Sequence, residues 1–327
     1  MLNWPPMRSA AARVPRQPPP PLPDDPAALS RAAVDFARAE GFIAAGVVST
    51  PEPESFDVFA GWIAAGHHGG MAWLERDSDA RRRLDSVLPF ACAAIAVARE
   101  AEGRGDGNVA KYARGEDYHR VVRRHLTRVV DRLRPLAPRG AHFRVAVDTA
   151  PVLERDLAVR AGLGSLGKNG LLIVPGVGSN VVLGEILTDV ALAPTAVPAT
   201  PADICGACVA CLDACPTQAF VAPRLLDSSR CLSYLTIESR GPFSPDEESR
   251  LEGRLFGCDT CQDVCPWNAH QDPTGPPRGP AATLDPATVV GLSEEAFRGR
   301  FIGTAVWRAT RSGLERNAHA ARRREPL

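Results

Sequence analysis

The sequence has no excess of either charge: 38 Lys and Arg balance 38 Asp and Glu across 327 residues. That balance excludes a bulk electrostatic pull toward nucleic acid or a membrane surface, so any polyanion site must be a local patch. No apolar run reaches the roughly 20 residues that span a bilayer, and the stretch Phe90–Ala98 suits a buried strand better. Arg8, Arg13 and Arg16 stand near the start without the apolar core of a secretory signal. Also missing is a dinucleotide fingerprint. The nearest match, Gly162-Leu163-Gly164-Ser165-Leu166-Gly167, follows an expected helix rather than a strand. Nor is there a phosphate loop, because Gly167-Lys168 is followed by Asn169. With no export signal, nine cysteines point to a reducing compartment, by default the cytoplasm, and to metal ligation rather than disulfides.

What is present is enough chain for two domains, with the apolar and charged fractions of an ordinary globular protein. Residues 1–26 are rich in proline and poor in large apolar groups, and are expected to form a disordered tail. Order should begin at Asp25 as N-cap and Pro26 as the first helical residue, with Leu29, Ala33, Phe36 and Ala37 forming an apolar face before Gly41. Further strands are expected at Ile43–Val48, Ala93–Ala98, Phe143–Val147, Leu171–Val174 and Val181–Leu187. Helices are expected at Phe56–Ala65, Tyr118–Arg134 and Val152–Ala161. This reads as an α+β protein: an α/β domain over 27–195, a cysteine-rich unit over 196–275 entered through the proline-rich Ala193–Pro201, and a short helical tail over 276–327.

The cysteines carry the sharpest signal. Cys205, Cys208, Cys211, Cys215 and Pro216 spell C-x2-C-x2-C-x3-C-P. Three thiolates at that spacing wrap one 4Fe-4S cluster, while the fourth turns toward a neighbour. Cys258, Cys261, Cys265 and Pro266 repeat the pattern one ligand short, and Cys231 can supply the missing thiolate. The exchange rule assigns Cys205, Cys208, Cys211 and Cys265 to one cluster, and Cys215, Cys231, Cys258 and Cys261 to the other. Structural zinc also uses C-x2-C pairs, but it needs neither the third cysteine nor the repeated C-P ending. Cys92 is left over and reads as a small buried hydrophobe.

Two clusters make a wire, and the long segment before them implies a second redox cofactor or a substrate site. Asp117-Tyr118-His119 begins like a cobalamin D-x-H-x-x-G signature but lacks its glycine, and Asp117 reads more simply as an N-cap. On the helix that follows, Arg120, Arg124, Arg128 and Arg132 recur every four residues opposite Val122, Leu126, Val129 and Leu133. That stripe is either a solvated face or a phosphate-binding surface suited to RNA. Asp148 ends a strand, where it can serve as an N-cap or, if burial raises its pKa, as a proton donor.

Beyond ligand spacing, the chain resembles the epoxyqueuosine reductases of tRNA queuosine biosynthesis. The resemblance runs through residues 112–119, Val147-Asp148-Thr149-Ala150-Pro151-Val152-Leu153-Glu154, Gly167-Lys168-Asn169 and 183–189. It continues through 211–219, 231–238, 257–268 and 313–318. It implies base-off cobalamin between the N-terminal domain and the cluster unit, with Tyr112, Lys168, Asn169 and Ser179 in its pocket. It also implies that Asp148 is the proton donor, that tRNA bearing epoxyqueuosine at the wobble position is the substrate, and that a low-potential donor supplies electrons to a monomer. Ser165, Gly170 and Asn180 depart from the family pattern toward smaller groups near that pocket. A corrinoid reductase of another substrate, related to reductive dehalogenases, and a non-catalytic electron carrier remain open alternatives.

Ligand bookkeeping predicts about eight irons per chain after anaerobic preparation. Replacing Cys231 with Ala should remove the irons of one cluster while the other keeps its absorbance; an unchanged iron count would break the assignment.

Overall fold

The structure, a computed structural model, describes residues 24–49, 52–103, 105–196, 203–269 and 283–323. Most of the expected N-terminal tail, residues 1–23, and the end of the proline-rich connection at 197–202 lie outside the described residues.

The chain opens on helix α1 (Pro26–Ala39), where Asp25 accepts from the Ala28 N–H at 2.9 Å and Pro26 occupies the first turn. Strand β1 (Ala44–Val48), helices α2 (Phe56–Ala64) and α3 (Ala72–Arg76), and strand β2 (Ala93–Glu100) follow. Next come α4 (Tyr118–Leu133), β3 (Phe143–Ala146) and α5 (Glu154–Arg160), then β4 (Ser165–Leu166), β5 (Leu172–Ile173) and β6 (Val181–Thr188). The cysteine-bearing part contributes α6 (Ala210–Asp213), β7 (Phe220–Ala222), β8 (Leu225–Leu226), α7 (Leu232–Ile237), α8 (Pro245–Arg250) and α9 (Thr260–Asp263). Helices α10 (Pro286–Val289), α11 (Glu294–Phe301) and α12 (Thr310–Arg322) complete the fold.

The main sheet runs β1-β2-β6-β3 and every pairing in it is antiparallel, which makes the architecture α+β. Alternation along β2 divides its side chains between two cores. Ile95 and Val97 join Leu29, Ala33, Val122, Leu126 and Val129 beneath α1 and α4. Ala94, Ala96 and Ala98 join Leu157, Ala158 and Leu187 beneath α5. Alanines on this second face let α5 approach the sheet closely. At Gly46 the approach is absolute: a Cβ there would lie 2.0 Å from the Ala161 carbonyl oxygen.

Several expected elements are shorter than their apolar pattern. The 171–174 strand contracts to β5, and the 152–161 helix begins only at Glu154, because Pro151 and the turn around Asp148 occupy its start. Cys92 precedes β2 and is only partly buried, although burial still raises its thiol pKa.

The segment between β2 and α4 does not stay with its own sheet. Val109 bridges to Phe256, the Ala110 N–H donates to the Phe256 carbonyl at 2.7 Å, and the Asp117 N–H donates to the Gly303 carbonyl at 2.9 Å. A third core forms where Val109 and Ala113 meet Leu255, Phe256, Phe297, Phe301 and Leu314. Fully buried Asn317 ties α12 to this core by donating to the Thr236 and Leu255 carbonyls, each at 2.8 Å.

Gly46→Ala should lower the thermal midpoint and cost about 1–3 kcal/mol or more, as overpacking does. An unchanged midpoint in thermal denaturation would contradict this close packing of α5.

Candidate active site

Asp148 sits where β3 gives way to α5, with its backbone at φ +56°. A non-glycine residue in that region is uncommon and marks a turn held by its surroundings. One restraint is Glu154, whose Oε1 accepts the Asp148 N–H. The other is His119, whose Nε2 lies 3.0 Å from the Asp148 Oδ2. Asp117 caps α4 by accepting from the His119 N–H at 3.0 Å, and its Oδ1 lies 2.6 Å from His119 Nδ1. The imidazole is therefore held between two carboxylates. Tyr118 stacks on it at 4.0 Å between ring centroids and hydrogen-bonds Asp148, and Tyr112 meets Tyr118 edge-on at 5.7 Å.

This geometry sets the charges. Burial opposes a charge on His119, but hydrogen bonds and attraction from Asp117 and Asp148 outweigh it and raise the imidazole to about 9. Burial would raise Asp148 as well. The hydrogen bond and charge of His119, with Arg308 and Tyr118 behind them, reverse that and leave the carboxyl below its ordinary range. The expected raised acid at Asp148 is thus replaced by an ion pair whose proton rests on the imidazole. Glu154 moves the other way: burial first, then the charge of Asp148, pushes it up to about 8.

The cysteines fall into two groups. Burial raises the thiols most, and the neighbours that add to it show which sulfurs lie close. Cys211 is acted on by Cys205, Cys265 and Cys208, and Cys265 by Cys205 and Cys208. Cys231 is acted on by Cys258 and Cys215, and Cys261 by Cys258 and Cys231, with Cys211 next in order. Backbone N–H groups already point at sulfur: Lys168 N lies 3.4 Å from Cys205 Sγ, and Ala219 N lies 3.3 Å from Cys215 Sγ. N–H donors of this kind stabilise cluster thiolates and tune their potential, so these residues fit the groups that the spacing implies. Cys208 is exposed and Cys211 buried, which gives that set one edge toward solvent.

Of the residues expected around cobalamin, Tyr112 is at the acid pair, while the other three lie on the seam with the cysteine-bearing part. Lys168 Nζ donates to the Gly206 carbonyl at 2.7 Å, and Asn169 Nδ2 to the Cys261 carbonyl at 3.3 Å. Ser179 N donates to Asn268 Oδ1 at 2.7 Å. Ser165 and Asn180 are buried close by, and Gly170 takes φ +74°. Both ring nitrogens of His119 are already engaged, so this imidazole has no free nitrogen to offer a metal.

The arginine stripe is partly neutralised. Arg124 makes paired hydrogen bonds to Glu116 at 3.0 and 3.2 Å, and Arg128 lies 3.4 Å from Glu40. Arg132 lies 3.9 Å over the Phe36 ring, and Arg120 approaches Gly303. Sequence reading missed the pairing of His119 with Asp148, because the two are 29 positions apart. It missed Glu185 too, although a charged residue between Leu183 and Leu187 in an apolar strand was a visible signal.

Residues 204–268 match the 4Fe-4S double cluster binding domain, and residues 81–149 match the domain described as epoxyqueuosine reductase QueG, DUF1730. The chain is 38% identical over 312 residues to the epoxyqueuosine reductase of Pseudomonas aeruginosa, covering 90% of itself and 84% of that relative. It is 39% identical over 313 residues to that of Xanthomonas campestris, covering 90% and 85%. Among solved structures, an epoxyqueuosine reductase with an epoxyqueuosine-modified tRNA-Tyr stem loop superposes with a TM-score of 0.78 at 29% identity, over 90% of this chain and 80% of that one. The Bacillus subtilis enzyme, captured with its aspartate-bearing catalytic loop swung out of the active site, gives 0.76 at 28% identity, over 90% and 81%.

His119 should titrate near 9 by NMR, and Asp148→Asn should lower that value. Because the folded value exceeds the unfolded 6.5, the stability the pair contributes is complete below about 6.5 and is lost as pH rises through about 9. A histidine titrating at its ordinary value would remove the ion pair.

Proposed function

The chain belongs to the epoxyqueuosine reductase family and is an oxidoreductase, and from that premise we propose the details of its chemistry: it removes the epoxide oxygen of epoxyqueuosine at the wobble position of tRNA, leaving queuosine and water, in the cytoplasm. Nine unpaired thiols support a reducing compartment. The observation that carries the reading is the Asp148–His119 pair, an acid held at a strained turn in a chain whose cysteines fall into two sets. The solved relative with a modified tRNA stem loop supports the substrate. The swung-out aspartate loop of the Bacillus subtilis relative supports Asp148, which likewise lies on a turn, at the end of β3.

Cys205, Cys208, Cys211 and Cys265 would hold one cluster, and Cys215, Cys231, Cys258 and Cys261 the other. Tyr112, Lys168, Asn169 and Ser179 would border base-off cobalamin at the seam shared by both parts of the chain. When bound, the clusters and corrinoid supply low-potential electrons at the epoxide carbon. The chain's own residues handle the proton. Asp148 is open to solvent, with its side chain 44% exposed. It relays to the departing oxygen the proton that rests on His119, and Asp117 holds the imidazole in the orientation this transfer requires. Of the stripe, Arg120 and Arg132 have no carboxylate hydrogen bond among the described contacts; Arg132 lies over the Phe36 ring, so Arg120 would meet tRNA phosphate first, and Arg124, Arg128 and Arg132 would do so only by leaving their present partners.

Asp148→Asn should keep its irons and bind tRNA normally while losing about 10²–10⁴-fold in epoxide reduction. Turnover at the wild-type rate would overturn the role of Asp148, and would favour an electron carrier that works through another protein.

A further inference from the structure

Glu185 is fully buried in the middle of β6, and neither oxygen of its carboxyl has a hydrogen-bond partner. It pairs across the sheet with Ala96 on one side and Ala146 on the other. Strand alternation sends its side chain to the same face as Leu183 and Leu187, beneath α5. An isolated carboxylate in such a place would lose its hydration without compensation, so the group keeps its proton. A neutral amide or a leucine would be the simpler occupant of that position.

Glu185 is not alone. Glu154 begins the helix above it, and its Oε1 accepts the backbone N–H of Asp148. After burial itself, the charges that act on Glu185 are those of Glu154 and then Asp148. Glu154 in turn faces Asp148, Arg155 and His119, and its charge is felt by Arg81 and Tyr118. Three carboxyl groups thus descend from the surface into the sheet, from exposed Asp148 to half-buried Glu154 to buried Glu185. The deepest faces only alanines across the strands.

Epoxide removal sets the need. One epoxide, two electrons and two protons give one carbon–carbon double bond and one water. Electrons that travel through iron and sulfur bring no protons with them. His119 carries one proton, and the reaction requires a second at the same oxygen. We propose that Glu185 and Glu154 form a proton store beneath Asp148, which refills the Asp148–His119 pair within each turnover. This inference rests on the reductase reading above. Glu185 touches neither substrate nor cofactor and acts only through Glu154 and Asp148.

The test uses the full chain and begins with infrared difference spectroscopy at neutral pH, which needs neither substrate nor corrinoid. Wild type should show the C=O stretches of two protonated buried carboxyls; the isosteric Glu185→Gln should lose one of them and keep the one that Glu154→Gln removes. Absence of both bands in wild type, or an unchanged spectrum in Glu185→Gln, overturns the store even if reduction of epoxide is never observed. In turnover, Glu185→Gln should slow steady-state reduction about tenfold. It should also move the alkaline limb of the pH profile to lower pH, in the first turnover as in the steady state. Glu154→Gln should act on the same path, so the double variant should be no slower than the worse single one. A wild-type pH profile in both single variants would overturn the proposal.

Discussion

Everything in this molecule depends on the lock between Asn268 and the segment that enters β6. Asn268 Oδ1 accepts from Ser179 N at 2.7 Å, and its Nδ2 donates to Ser179 Oγ at 3.0 Å and to the Gln262 carbonyl at 2.7 Å. The lock is buried and complete, which is the condition under which a polar network rigidifies a joint rather than weakening it. It also demands Gly178: a Cβ there would lie 2.0 Å from Asn268 Oδ1, and the residue sits at φ +95°. Through this contact the sheet that carries Asp148 and the segment that carries the cysteines hold one geometry. In the proposed reaction electrons reach the epoxide carbon and the proton its neighbouring oxygen, so such a joint cannot be loose.

The charge economy of the site follows from burial set against pairing. Asp148 and Glu154 are both carboxyl groups at the start of α5, and burial acts on both in the same direction. Only Asp148 has an imidazole to share, and so the two part ways. Widely separated pKa values in neighbouring carboxyls are how one site can hold an acid and a base at neutral pH. A chain with no net charge achieves this through contacts alone, without a surrounding field.

Much of this was legible in the residues. The cysteine spacing named the thiols, Asp25 and Asp117 announced their helices, and the apolar face of α4 was visible as Val122, Leu126, Val129 and Leu133. What was hidden depended on tertiary contact. The direction of Asp148's shift is set by His119, and no local pattern joins them. The four arginines of α4 were visible as a face, but Glu116, Glu40 and Phe36, which engage three of them, come from elsewhere in the chain. The 105–117 segment gave no hint that it would pack among the C-terminal helices, because its partners around Phe256 and Gly303 lie more than a hundred residues away.

Cys265 and Asn268 belong to the same tight turn, where the Asn268 N–H donates to the Cys265 carbonyl at 2.9 Å. A sulfur at one end of that turn and a joint at the other form a rigid lever only a few bonds long. Whatever displaces the thiol displaces the asparagine, and with it the alignment of sheet and cysteines. The joint's stiffness is thereby made a property of the metal-binding turn itself, and the cleft keeps its shape only as long as that turn does.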